Sequence, residues 1–166
     1  MAEVLLISRT DLVKHTALNG NIDTDKFIQF IASAQNIHIQ QYLGTNLLEK
    51  LKSDYANNTL TTNYANLIAN YVKPMLVHFA MVEYLPFVAY SISNKGIYKH
   101  SSENSETVEK NEVDFLVEKE RQIAQNYAQR FVDYMCFNQN LFPEYNTNTN
   151  GNVFPENGTN LTSWYL

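Results

Sequence analysis

Residues 64–92 read YANLIANYVKPMLVHFAMVEYLPFVAYSI, the longest apolar run in the chain. Its first turns are one-sided: Tyr64, Leu67, Ile68, Tyr71 and Val72 recur at helical spacing, and Asn63, Asn66 and Asn70 fall on the other side. Beyond Lys73 nearly every position is apolar, from Met75, Leu76 and Val77 to Phe87 and Val88. That is the pattern of a helix covered by neighbours on several flanks. Pro74 and Pro86 carry no amide proton for the carbonyls of Asn70 and Val82, so each is expected to bend or interrupt the helix, leaving two or three stacked segments. The expected fold is all-α, a helical bundle around a long, Pro-interrupted central helix.

Upstream of that core, Ser8 and Asp11 have capping-box spacing for a short helix reaching about His15. After the turn Leu18-Asn19-Gly20-Asn21, the residues Asp23, Thr24 and Asp25 supply an N-cap and first-turn carboxylates, where the helix macrodipole favours negative charge. Phe27, Phe30, Ile31, Ala34, Ile37 and Tyr42 form the apolar stripe of this helix, and Gly44 stands where a left-handed cap would end it. A third helix follows with Leu47, Leu48, Leu51 and Tyr55 inward, and Asn57-Asn58-Thr59 closes it.

Downstream, residues 93–106 are polar and without a period, and they are expected to form an exposed, mobile contact loop. An amphipathic helix from about Asn111 to about Asn138 is then expected to pair with the central helix along its length, about 40 Å at 1.5 Å per residue. Its expected buried side is Phe115, Leu116, Ile123, Tyr127, Phe131, Tyr134 and Met135. Residues 1–145 thus form one helical domain. Residues 146–166 begin as Asn- and Thr-rich low-complexity chain and end in two apolar clusters, Val153-Phe154-Pro155 and Trp164-Tyr165-Leu166. The composition predicts an extended, flexible C-terminal arm with aromatic anchors; the alternative is a tail folded back on its own domain.

Eleven Tyr and nine Phe in 166 residues are amphipathic rings in the number that interfaces use. The formal net charge is −5 and no cluster of Lys and Arg stands out, which argues against a surface that grips nucleic-acid phosphates. Cys136, the single cysteine, has no partner for an internal disulfide and reads as a packed small hydrophobe between Met135 and Phe137. Residues 1–7 lack the pattern of a signal peptide, so an intracellular chain is expected. Lys73, His78 and Glu83 interrupt the central run at five-residue intervals, so no membrane span of roughly 20 apolar residues is expected.

No motif for catalysis stands out. There is no Gly-rich phosphate loop, no Gly-x-Ser-x-Gly elbow and no Cys-x-x-Cys, and the expectation is a non-enzyme without cofactor or metal. His38 reads as a satisfied core or surface residue. His78 and Glu83 are five apart and do not share a helix face, and no Glu-x-x-His pair occurs. Polar groups on so apolar a helix need partners, or else Lys73, His78 and Glu83 line a seam between subunits. Asp114, Glu118 and Glu120 read as one solvated helix face.

Five groups of residues carry a resemblance. They are Leu5-Leu6-Ile7-Ser8; Phe30-Ile31 with Ala34-Gln35 leading to Tyr42-Leu43-Gly44; Lys73-Pro74 with Tyr84-Leu85-Pro86-Phe87; Asn94-Lys95-Gly96; and Phe142-Pro143-Glu144-Tyr145. In this order, over residues 4–145, the chain resembles the small head-tail connector proteins of tailed bacteriophages, also called adaptor or ring proteins, most closely those of crAss-like and related Bacteroidetes phages. The resemblance implies a structural virion protein, assembled in the host cytoplasm, that forms a ring of twelve copies at the portal vertex, extends the DNA channel and joins head to tail. The partners it implies are further copies of the chain, the portal protein and the next tail or ring protein, with DNA passing through without sequence-specific binding and no membrane. The expected partner-binding residues are Asn94, Lys95, Gly96 and Tyr98 in the loop, Phe142 and Tyr145 after the last helix, and Phe154, Trp164, Tyr165 and Leu166 on the arm. The alternative is a small helical phage factor that binds a host or regulatory protein.

Overall fold

The amides and oxygens of Ser8 and Asp11 satisfy each other reciprocally, as the spacing predicts: Asp11 Oδ2 accepts from the Ser8 amide at 2.8 Å and the Ser8 hydroxyl accepts from the Asp11 amide. This box starts α1, Arg9–His15. The computed structural model describes residues 3–18, 24–88, 90–93, 96–99, 110–147 and 152–156. After α1 come α2 (Thr24–Ala34), a π-helical segment Gln35–Ile39, α3 (Gln40–Leu43) and α4 (Thr45–Asn57). The central element follows as three consecutive segments, α5 (Thr62–Leu67), a second π-helical segment Ile68–Val72 and α6 (Lys73–Val88). A hairpin of β1 (Tyr90–Ser93) and β2 (Gly96–Lys99) leads to α7 (Lys110–Asn138), and two 3₁₀ turns, Gln139–Leu141 and Pro143–Tyr145, close the bundle. The architecture is all-α with one small hairpin appended. The central helix packs most extensively on α7 and next on α2.

Both π segments have the same physical reason. Phe27, Ile31, Gln35, Ile39 and Leu43 are spaced by four and all are buried, as are Ile68, Val72, Leu76 and Ala80. A plain α-helix would carry such a column around its axis by about 40° per step, because four residues exceed one turn of 3.6. A wider turn takes up the excess and keeps the column on the core. In the central helix the widened turn also stands directly before Pro74, so the irregularity falls ahead of that proline and not at it. Pro86 lies inside α6, which ends two residues later.

Gln35, wholly buried, binds the extended N-terminal residues. Its Oε1 accepts from the Leu6 amide at 3.0 Å and its Nε2 donates to the Val4 carbonyl at 2.9 Å. Leu6 is thereby held in the core.

Several expectations are corrected. Residues 90–92 are not the last turn of the central helix: they open β1, with Tyr90 opposite Lys99 and Ser93 opposite Gly96. Pro86 withholds a helix donor, and the Tyr and Ile residues that follow favour strand. The first part of the expected contact loop is therefore a hairpin, while Asn94, Lys95 and residues 100–106 lie outside the described residues. Tyr55 is turned outward, and Asp54 takes the inward place on α4, bound by Lys50 at 2.9 Å and by the Thr59 hydroxyl at 3.2 Å. Gly44 has φ 75° but ψ 160°, so it is no left-handed cap; this extended region of positive φ belongs to glycine. Asn58, at φ 54° and ψ 38°, supplies the left-handed cap of α4 instead.

Candidate interaction surface

α7 meets the core through Ala124, Ala128, Phe131, Val132 and Met135, with Tyr127 and Tyr134 packed against it at the margin, and two alanines let the helix lie close to α6. Tyr127, Phe131, Tyr134 and Met135 lie on the expected inward face. Phe115, Leu116 and Ile123, expected inside, are exposed, because the large side chains before Ala124 are out of phase with the alanines. Leu116, Ile123, Arg130 and Phe137 repeat at intervals of seven and form a column along the outer flank of α7, with Phe137 at 88% exposure. A seven-residue repeat is the spacing that a second helix follows. Arg130, within the column, stacks over Tyr127, and Lys119 stacks over Phe115 beside it, so basic side chains stand among the apolar ones. At its start Asn111, Glu112, Phe115 and Leu116 line an open depression of about 490 Å³. Cys136 is exposed on this helix, not packed.

Lys73, His78 and Glu83 on the central helix each find a partner within the chain. Lys73 Nζ donates to both Asp11 oxygens at 3.3 Å. His78 Nδ1 donates to Glu120 Oε2 at 2.7 Å, and Glu83 Oε1 accepts from His38 Nε2 at 2.7 Å. A carboxylate only accepts, so the proton sits on the stated ring nitrogen in each pair. Each imidazole also stacks flat on a ring, His38 on Phe79 and His78 on Tyr127. Glu120, expected on a solvated face, is an inward partner. Each pair ties the central helix to a neighbouring element; among the described residues no group of three or more His, Cys, Asp or Glu side chains could hold a metal.

The expected partner-binding residues separate into three sets. Phe142 and Tyr145 are corrected: both are buried, Phe142 edge-on to Tyr64 at 5.2 Å and Tyr145 edge-on to Phe131 at 6.2 Å. The 3₁₀ turns fold them under the bundle, and Tyr64 donates to Glu144 Oε2 at 2.6 Å to hold them there. Phe154 is exposed at 67%, and Gly96 and Tyr98 lie on β2. Asn94, Lys95, Trp164, Tyr165 and Leu166 lie outside the described residues.

Where the arm is described, it is not free. Residues 152–156 lie against the junction of α3 and α4. Thr45 donates its amide to the Val153 carbonyl at 3.0 Å, the Val153 amide donates to Thr45 Oγ1 at 3.1 Å, and the Glu156 amide donates to the Gln41 carbonyl at 2.7 Å. A Cβ on Gly44 would stand 2.9 Å from Pro155 Cδ, so the glycine is also the seat of the proline. Burial, and then the Glu156 carboxylate, push the Tyr42 phenol above its ordinary range. For these five residues the folded-back alternative holds.

A family model described as a family of unknown function, DUF6712, matches residues 39–155. The chain belongs to this family. The DUF6712 match takes in both long helices of the core and ends at Pro155, so it includes both sides of the contact between Gly44 and the C-terminal segment. No curated protein and no solved structure matches the chain. No helix among the described residues is long and apolar enough to cross a membrane.

Proposed function

We propose that this DUF6712 chain is a structural virion subunit, without catalytic activity, that closes into a ring at the portal vertex of a tailed phage, extends the DNA channel and joins head to tail. The observation that carries the reading is the column at seven-residue intervals on the outer flank of α7, where Leu116, Ile123 and Phe137 are exposed with Arg130 among them and Lys119 beside them. Exposed large apolar side chains set along one helix flank, with basic groups among and beside them, are a surface suited to being covered. A ring subunit covers it with a different surface of the next copy, in a head-to-tail contact that closes. The ordered motifs shared with the connector proteins support the same assignment, and with it the portal and the next tail or ring protein as partners. The net charge of −5 supports a channel through which DNA slides without being held.

The test is the mass of the purified chain by light scattering on a sizing column, alone and mixed with its portal. A ring-sized species, alone or with portal, is expected. A monomer or dimer that ignores the portal overturns the proposal and favours a factor that binds a host or regulatory protein.

A further inference from the structure

The C-terminal segment occupies a site that the rest of the fold has built for it. Gly44, the residue before α4, offers no side chain to cap that helix, so the first amides of α4 need an outside acceptor. The Val153 carbonyl supplies one at the Thr45 amide, and Thr45 Oγ1 returns the bond to the Val153 amide. Asn46 extends the contact to the Asn152 side chain and the Thr147 carbonyl. Pro155 then lies on Gly44 where no other residue would leave room. The site reads extended main chain followed by a proline.

The segment gives little to the core in return. Among the described residues every buried apolar side chain lies between Leu6 and Tyr145, while Val153 and Phe154 remain exposed. The contact is thus a local docking event whose bonds do not depend on which copy of the chain supplies residues 152–156. It joins the bundle through Asn148-Thr149-Asn150-Gly151, a connection without any apolar residue.

We propose that the cleft at Gly44 and Thr45 is a docking site for the C-terminal segment of a second copy of this chain, so that neighbouring subunits exchange arms. The exchange rests on the ring reading for its setting, because the flank of α7 brings copies together; the cleft itself does not. An exchanged segment remakes every bond of the folded-back form, so the crossover costs little, and it carries Phe154 to the neighbour's surface. Within one molecule the short connection favours the folded-back form, and contacts between neighbours shift the balance.

The test uses two pieces that keep the core intact. A chain ending at Thr147 has an empty cleft, and a fluorescent peptide of residues 147–166 is the probe. Saturable binding by anisotropy is expected, weakened at least tenfold by Gly44→Val in the truncated chain or, should that variant fail to fold by circular dichroism, by N-methylation of Val153 in the peptide. The full-length Gly44→Val chain keeps an arm but has no cleft, and the truncated chain keeps a cleft but has no arm. Mixed, the two should form a one-to-one complex that neither forms with itself. Absence of peptide binding overturns the cleft, and peptide binding without the mixed complex overturns exchange. A peptide that binds while no ring forms on the portal overturns the ring reading alone.

Discussion

His78 and Glu83 stand five residues apart on one helix and brace different neighbours: His78 donates to Glu120 on α7, and Glu83 accepts from His38 in the π segment after α2. Lys73, five residues earlier, reaches Asp11 on α1. Five residues turn an α-helix by about 140° beyond a full turn, so the interval distributes three polar groups among three flanks. Each pins one layer of the bundle.

Glu120→Ala leaves a nearly buried imidazole donor without its acceptor. The expected loss is about 1–3 kcal/mol, seen as a thermal midpoint lower by about 3–10 °C. Replacing both partners by leucine should cost less than the sum of the single changes. Additive losses in thermal unfolding by circular dichroism would show that the two side chains do not act as a pair.

Acid should loosen the α1 contact. Burial alone would raise the Asp11 carboxyl, but the Ser8 amide and hydroxyl and then the Lys73 ammonium outweigh it and hold it below its ordinary 3.8. Because the folded value lies below the unfolded one, the stability it adds is present above about pH 4 and is lost as pH falls through the folded value. Urea midpoints of the natural chain and Asp11→Asn should differ most near neutrality and converge in acid. A gap that is constant with pH refutes this.

Tyr64 and Tyr145 should respond differently to loss of the hydroxyl. Tyr64 donates to Glu144, so Tyr64→Phe should cost about 1 kcal/mol. The buried Tyr145 hydroxyl finds no partner among the described residues, so Tyr145→Phe should be neutral or stabilising at pH 7. Burial, and then the neighbouring Cys136, push the Tyr145 phenol up to about 12 from 10.0. Its contribution is present below pH 10 and is lost as pH rises through the folded value, so the phenylalanine variant should lose stability less steeply on going from pH 10 to 12. Equal slopes in alkaline denaturation would contradict the assignment.

The outer flank of α7 is separable from its core face. Ile123→Glu and Phe137→Glu should each shift stability by no more than about 0.5 kcal/mol while preventing assembly with the portal. Ala124→Glu, one residue away but buried, should unfold the chain. Normal assembly of both flank variants would exclude this surface from the subunit contact.

Much of this was legible in residue types alone. Ser8 with Asp11 fixed the first helix, the apolar run identified the core helix, and Asn57-Asn58 ended α4. On α7 the residue types place Tyr127, Phe131, Tyr134 and Met135 inward but not the first half of the helix: Ala124 and Ala128 mark the close approach, and the large Phe115, Leu116 and Ile123 do not share their phase. Phe142 and Tyr145 looked like anchors for a partner because nothing local reveals that two 3₁₀ turns fold them inward. The partners of His38 and His78 lie 45 and 42 residues away, beyond any local pattern. The seat of Pro155 on Gly44 joins positions even more distant. The four-residue spacing of core side chains, sustained over Phe27, Ile31, Gln35, Ile39 and Leu43, is the local signal of a wide turn.

That spacing bears on how the chain tolerates loss. From Ile31 to Leu43 the helix advances twelve residues and returns to the same side of its axis, and Ile68 to Ala80 repeats the arithmetic. Eleven residues make about three turns of ordinary α-helix. Each wide turn is thus a place where one residue can be deleted and the flanking segments keep their bearings, whereas a deletion elsewhere in the same helices swings everything beyond it by about 100°. Lineages that differ in length by a single residue inside these helices should carry the difference at Gln35–Ile39 or Ile68–Val72.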